Sequence, residues 1–177
     1  KAFGIEQGHI ETIHAYTNDQ NLLDNFHKKP RRGRGAPVNM VLTSTGAATA
    51  VAKVLPQLAG KLTGNAIRVP TPNVSLAVLN LSLKKGTTVE ELNAALREAA
   101  LYGELVEQIQ YSTSTEYVSS NAVGTTCTSV VDAPSTIVSA DGHQVVLYVW
   151  YDNEFGYTCQ VVRLAKHIAG ARRYRYY

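Results

Sequence analysis

The sequence predicts an α+β domain, a mostly antiparallel seven- to eight-stranded sheet with about three helices packed on one face. Several β-patterned stretches are joined by turns too short for a crossover, which leaves them antiparallel neighbours as partners. Three other stretches repeat apolar residues at spacings of three and four, the period of a helix with one buried face. The chain has 177 residues, 45% hydrophobic and 18% charged, enough for one domain with a sizeable core.

Taken in order, His9 to Tyr16 reads as a strand with Ile10, Thr12 and His14 on one face. Thr17 to Pro37 follows as a polar, Gly- and Pro-bearing loop, long for a compact domain and therefore of functional interest. A helix starts at Thr45-Gly46 and carries Ala48, Val51, Leu55 and Leu58 on one face, with Pro56 and Gly60 near its end. Asn65 to Thr71 and Val74 to Leu83 read as strands around a Pro72-Asn73 turn. Thr88 and Glu91 have capping-box spacing, ahead of a helix with Val89, Leu92, Leu96 and Ala99 on one side. Short strands are expected at Gln108 to Ser112, Thr126 to Val131, Ser135 to Val138 and Gln144 to Trp150, with Asp141-Gly142 as a hairpin signal. The last helix spans about Tyr157 to Ala169, with Val161, Leu164, Ala165 and Ile168 inward and Gly170 as its stop.

The net charge of +3 is too weak to imply nucleic acid by itself. The cations are clustered, however, at Lys28, Lys29, Arg31, Arg32 and Arg34 and again at Arg172, Arg173 and Arg175. Each cluster reads as a phosphate contact or, more blandly, as a solvated loop, subunit contact or terminus. Cys127 and Cys159 form no Cys-x-x-Cys pair, so a cysteine-based metal site is not expected, and both read as reduced thiols of a cytoplasmic protein. Cys127 is expected mid-strand and Cys159 in the first turn of the last helix. No apolar run is long enough to span a membrane. The motifs Gly-x-Gly-x-x-Gly after a strand, Gly-x-Ser-x-Gly and His-Glu-x-x-His are absent, as is a Walker loop. The chain opens without Met inside an apolar/polar pattern, and is expected to begin mid-protein.

Four groups have chemistry to offer. His14, at a strand end before the polar loop, suits proton transfer near neutral pH, or is a packed histidine. Thr45 and Gly46 place a hydroxyl and free N–H groups at a helix start, suited to an anion or to plain N-capping. Arg68 stands in the otherwise apolar run Ala66-Ile67-Arg68-Val69-Pro70, where its charge needs an anion or a carboxylate. Asn153, Glu154 and Tyr157 sit where a strand gives way to a helix, as ligand contacts or as a turn with packed aromatics.

Five ordered segments carry a resemblance: His14-Ala15-Tyr16-Thr17-Asn18-Asp19-Gln20, His27-Lys28-Lys29-Pro30-Arg31-Arg32-Gly33-Arg34, Ser44-Thr45-Gly46-Ala47-Ala48, Arg68-Val69-Pro70-Thr71-Pro72-Asn73-Val74-Ser75 and Trp150-Tyr151-Asp152-Asn153-Glu154-Phe155-Gly156-Tyr157. In this order they resemble the phosphorylating glyceraldehyde-3-phosphate dehydrogenase family, over nearly the whole chain up to Gly170. The resemblance implies that residues 1–177 form the catalytic, substrate-binding domain of an enzyme that converts glyceraldehyde 3-phosphate and inorganic phosphate to 1,3-bisphosphoglycerate with NAD or NADP. It implies His14 as the base, Thr17, Asp19 and Arg68 at the substrate phosphate, Thr45 and Gly46 at inorganic phosphate, and Asn153 and Tyr157 at the nicotinamide. It also implies a homo-tetramer with the 17–37 loop at a subunit interface.

Two family features are missing from these residues, the Ser-x-x-Cys-Thr-Thr-Asn nucleophile motif and the dinucleotide-binding domain. Both are expected upstream, and the isolated chain is expected to be inactive. Three other readings stand beside this one: an erythrose-4-phosphate dehydrogenase, which shares much of the pattern, a basic nucleic-acid-binding module, and a structural oligomerisation domain.

Overall fold

A computed structural model describes residues 2–171. The carboxy-terminal cluster of Arg172, Arg173 and Arg175 lies outside the described residues. Eight strands form one sheet: β1 (Ile5–Ala15), β2 (Val41–Ser44), β3 (Leu62–Val69), β4 (Ser75–Leu83), β5 (Ile109–Ser112), β6 (Ser129–Asp132), β7 (Ile137–Val138) and β8 (Gln144–Tyr151). The order across the sheet is β2-β3-β1-β4-β8-β6-β5, with β7 also on β8. Of the seven pairings, five are antiparallel and two, β1 with β3 and β5 with β6, are parallel. Three α-helices complete the fold: α1 (Ala47–Val54), α2 (Val89–Leu101) and α3 (Phe155–Ile168). The α+β architecture and element tally are those read from the sequence.

Four details differ. The strands around Pro72-Asn73 do not pair with each other, because β1 lies between them, parallel to β3 and antiparallel to β4. The turn signal marks the reversal but not the strand inserted into it. Strand β2 has only four residues, too few for alternation to reveal, and is held by antiparallel pairing with β3. Cys127 precedes β6 instead of lying within a strand, and Cys159 falls in the second turn of α3, which starts two residues earlier than expected.

The α3 side chains expected inward also point outward. Val161, Leu164 and Ile168 are exposed, at 48%, 58% and 76%, and Ala165 is exposed with them. The helix instead docks through Gly156, where a Cβ would stand 3.0 Å from the Cys127 carbonyl oxygen, and through Gln160, which donates to the Thr126 carbonyl at 3.0 Å. Periodicity shows that an apolar stripe exists; it does not show what covers it.

One face of the sheet carries the core. Leu83, Val145 and Leu147 pack there with Leu92 of α2. Thr88 caps that helix by accepting the Glu91 N–H, while the Glu91 carboxylate accepts from the Thr87 hydroxyl, so only half of the reciprocal capping box forms. Helix α1 lies over the same face, where a Cβ on Gly64 would meet Thr45 Cγ2 at 3.4 Å and Ala48 Cβ at 3.7 Å. Gly170 ends α3 as expected, at φ +62, with Ala171 N–H on the Lys166 carbonyl and Gly170 N–H on that of His167. Gly142, at φ +76, turns β7 into β8.

Val74 is the one described non-glycine residue at positive φ, 75°. A β-branched side chain there costs about 1–3 kcal/mol. Burial of the side chain to 3% exposure and the hydrogen bond from Val74 N–H to Asn73 Oδ1 hold it. The kink delivers Ser75 to the first position of β4.

Candidate functional site

Strand register builds the site. Arg68 on β3 is opposite His14 on β1, His14 is opposite Ser75 on β4, and Ser75 is opposite Tyr151 on β8. Residues opposite one another share a sheet face. Four polar side chains thus form one rung on the core-bearing face, at the C-terminal ends of β1 and β3 and the start of β4. Below the rung, Ala77, Leu79, Leu147 and Val149 on the same face, with Leu96 of α2, line a cavity of about 450 Å³ that reaches up to Tyr151.

Within the rung, Arg68 Nη1 lies 2.7 Å from His14 Nδ1 and 3.0 Å from the Ala15 carbonyl oxygen. That carbonyl is also 2.7 Å from His14 Nδ1. Nδ1 is therefore fully engaged, and Nε2 is the ring atom left to exchange a proton with a ligand. Burial pushes the His14 pKa below its ordinary value, a shift that the Ala15 carbonyl opposes and the Arg68 charge reinforces. At neutral pH the imidazole is uncharged, as a base must be. The Tyr151 phenol, which contacts Ser75 and Thr12, is pushed up by burial and stays protonated.

The polar loop 17–37 is ordered by hydrogen bonds to itself. Asn21 N–H donates to the Arg32 carbonyl, Asn25 N–H to that of Gly33, and Ala36 N–H to that of Asn21. It carries two short 3-10 turns, Pro30–Gly33 and Ala36–Val38. Arg32 ties it to the sheet, pairing with Asp19 and donating from Nε to Thr43 Oγ1 at 3.0 Å. The Arg32 hydrogen bond holds the Asp19 carboxyl below the usual range, with His27 at 3.7 Å adding to it. Asp19 and Arg32 both act electrostatically on Arg68, which brings the loop to the rung. Thr17 is bound to Gln20, its carbonyl accepting the Gln20 N–H and its own N–H donating to Gln20 Oε1.

Thr45 and Gly46 stand further off. Ser44 is opposite Asn65 on β3, three residues from Arg68, so Thr45 is about 10 Å or more along the sheet from the Arg68 backbone. Gly46, not Thr45, is the N-cap residue of α1, and it makes no side-chain cap hydrogen bond; Thr45 Oγ1, one residue earlier, accepts the Ala47 N–H at 3.3 Å.

Asn153 joins the rung through Ser75, whose hydroxyl donates to Asn153 Oδ1 at 3.2 Å. Tyr157 is 70% exposed on the first turn of α3. Asp152, the chain neighbour of Asn153, is the residue that sequence reasoning missed. Only 3% exposed, Asp152 accepts from the backbone N–H groups of Gly124, Glu154 and Phe155 and from Asn73 Nδ2. Burial raises its pKa, but these four donors outweigh that and hold it below the ordinary value. An acidic residue at a helix start was the available signal. Asp152 anchors the loop before β4 to the start of α3 and so fixes Asn153.

Cys127 is half-buried, and burial pushes its thiol up, the opposite of what a nucleophile needs. Among the described residues no three His, Cys, Asp or Glu side chains come together as a metal site, and no helix is long and apolar enough to cross a membrane. In the basic loop Arg32 and Arg34 are paired with Asp19 and Asp24, and Lys29 reaches Ser44 Oγ at 3.5 Å. Those cations are engaged within the chain.

Residues 1–153 match the model of the family described as glyceraldehyde 3-phosphate dehydrogenase, C-terminal domain. A glyceraldehyde-3-phosphate dehydrogenase-like protein of Pseudomonas aeruginosa is 62% identical over 95% of this chain and 36% of its own length. The glyceraldehyde-3-phosphate dehydrogenase of Geobacillus stearothermophilus is 53% identical, and glyceraldehyde-3-phosphate dehydrogenase 1 of Bacillus subtilis 52%, each over 94% of this chain and 49% of the relative. The chain spans about half or less of the length of these curated relatives.

Proposed function

This chain belongs to the glyceraldehyde 3-phosphate dehydrogenase family as its C-terminal domain, and from that premise we propose that it is the catalytic, substrate-binding half of a phosphorylating dehydrogenase. The whole protein would oxidise glyceraldehyde 3-phosphate and join it to inorganic phosphate, giving 1,3-bisphosphoglycerate, with NAD or NADP accepting the hydride. The observation that carries this reading is the His14–Arg68 pair: a neutral imidazole with one free nitrogen beside a cation, at the ends of adjacent strands.

In this reading His14 Nε2 takes the proton of a thiol nucleophile supplied from outside residues 1–177. It gives that proton to the aldehyde oxygen as the thiol–aldehyde adduct forms, and takes it back from the adduct's hydroxyl as hydride leaves. Arg68 holds the substrate phosphate with Thr17, and Asp19 keeps Arg32 drawn in beside it. Thr45 and Gly46, with N–H groups at the start of α1, receive the inorganic phosphate that attacks the thioester. The nicotinamide supplies the hydride acceptor when bound. The residues present fit it: Asn153 Oδ1 is taken by Ser75, which leaves Nδ2 to donate to the carboxamide oxygen, and the exposed Tyr157 ring lies one helical turn on. Homo-tetramer formation and a cytoplasmic location belong to the same reading, with exposed Leu22, Leu23, Phe26, Val38 and Met40 in the 17–40 segment as subunit contacts.

The test uses the full-length protein and the isolated chain side by side. The full-length protein reduces NAD or NADP with glyceraldehyde 3-phosphate and phosphate, and the isolated chain does not. His14→Ala in the full-length protein lowers kcat by about 10²–10⁴. An unchanged kcat, or turnover by residues 1–177 alone, refutes the assignment.

A further inference from the structure

Arg68 has a second consequence for His14, separate from its charge. A guanidinium has five N–H donors and no acceptor. Its Nη1 lies 2.7 Å from His14 Nδ1, a distance that is a hydrogen bond only if Nδ1 presents its lone pair. A neutral imidazole with a lone pair on Nδ1 carries its proton on Nε2. That tautomer is the wrong one for a base whose free atom is Nε2. The Ala15 carbonyl offers the alternative: it is 2.7 Å from the same Nδ1 and would accept a proton from it. Nδ1 cannot donate to Ala15 while it accepts from Arg68.

We propose that Arg68 selects the tautomer of His14, and that an anion drawing the guanidinium away moves the imidazole proton from Nε2 to Nδ1 and so exposes a basic Nε2. Arg68 then acts as a positioning residue, coupling occupancy of the phosphate site to readiness of the base. The proton balance closes through solvent: Nε2 gives one proton to water, Nδ1 takes one from water, and the ring stays neutral. The guanidinium has a reason to move, because its Nε is buried and has no hydrogen-bond partner. A multi-oxygen anion would satisfy that donor together with Nη1, while the Ala15 carbonyl passes to Nδ1. The proposal rests on the reading of Arg68 as an anion-binding residue.

The experiment is ¹⁵N NMR of the histidine rings in the chain near pH 8, where His14 is neutral, with inorganic phosphate as the probe. Without phosphate the Nε2–H tautomer of His14 dominates. Saturating phosphate shifts the tautomer ratio toward Nδ1–H by about tenfold, the population equivalent of one net hydrogen bond. Arg68→Met keeps the aliphatic stem, removes every donor, and gives the Nδ1–H form with or without phosphate. Arg68→Ala provides a second variant should the first lose its dispersed amide spectrum. A tautomer unaltered in both variants overturns the selection by Arg68. Phosphate that binds, seen as ³¹P line broadening lost in Arg68→Met, without moving the tautomer overturns the coupling but leaves the phosphate site standing. No phosphate binding at all overturns the anion role of Arg68 and the switch with it, while the variant comparison still decides who sets the tautomer.

Discussion

The rings of His14 and Tyr151 meet edge to face, with centroids 6.4 Å apart and planes at 78°. Tyr151 therefore forms one wall of the imidazole's site and contributes to the burial that lowers its pKa. Tyr151→Ala should raise the His14 pKa toward the ordinary value near 6.5 by admitting water. Tyr151→Phe should leave it low and cost about 1 kcal/mol for the lost phenol hydrogen bonds. Titration of the His14 ring protons and urea denaturation measure the two effects.

The lowered His14 pKa also makes stability depend on pH. The folded chain binds this proton less readily than the unfolded one, so His14 contributes fully above about 6.5, its unfolded value. That contribution falls away as pH drops through the lowered folded value. His14→Gln should flatten this part of the profile. Urea midpoints between pH 8 and pH 5 test it; an unchanged slope would show that burial has little hold on the ring.

Asp152 should show the acid counterpart. Its contribution is complete above the usual carboxylate pKa of about 3.9 and is lost as pH falls through the lower folded-state value. Asp152→Ala leaves Gly124, Glu154 and Phe155 N–H groups without their acceptor, at a cost of about 2–4 kcal/mol. In the full-length protein the same substitution should raise KM for the nicotinamide cofactor more than for glyceraldehyde 3-phosphate, because Asn153 is displaced while Arg68 is not.

Gly33 tests the loop. A Cβ there would stand 2.4 Å from the Asn25 carbonyl oxygen, too close without backbone movement. Gly33→Ala should cost about 1–3 kcal/mol as overpacking and loosen Arg32 from Asp19. Slower amide exchange across residues 21–36 in the variant would contradict this.

Phe26 and Leu23 are 89% and 82% exposed. Replacing both by Ser should leave the stability of the isolated chain within about 0.5 kcal/mol. On the proposed reading of this segment as a subunit contact, the same change in the full-length protein should shift the mass in solution to smaller species. A tetramer that persists would move the subunit contact elsewhere.

The sequence showed much of this, and each gap has a physical cause. Helix α2 was legible because its apolar face and its cap are both local, although Val145 and Leu147, which it packs against, lie more than 50 residues on. His14 and Arg68 were each visible as an odd polar residue at a strand end. Their contact was not, because it depends on β1 entering between β3 and β4, and pairing partners 54 residues apart leave no mark in a period-two pattern. Ser75 and Tyr151 were hidden for the same reason. The outward stripe on α3 was misassigned because an apolar face has the same period whether or not something lies against it. Asp152 was overlooked because its importance lies in four donors from three separate stretches of chain.

Those four donors give Asp152 a part in the dynamics as well. The loop at Asn73, the turn at Gly124 and the first turn of α3 are far apart in sequence, yet each fastens to this one carboxylate. Segments that share a single anchor open together rather than one at a time. Amide exchange at Gly124, Glu154 and Phe155 should therefore report one common opening free energy, making this corner of the domain a single cooperative unit with a proton as its latch.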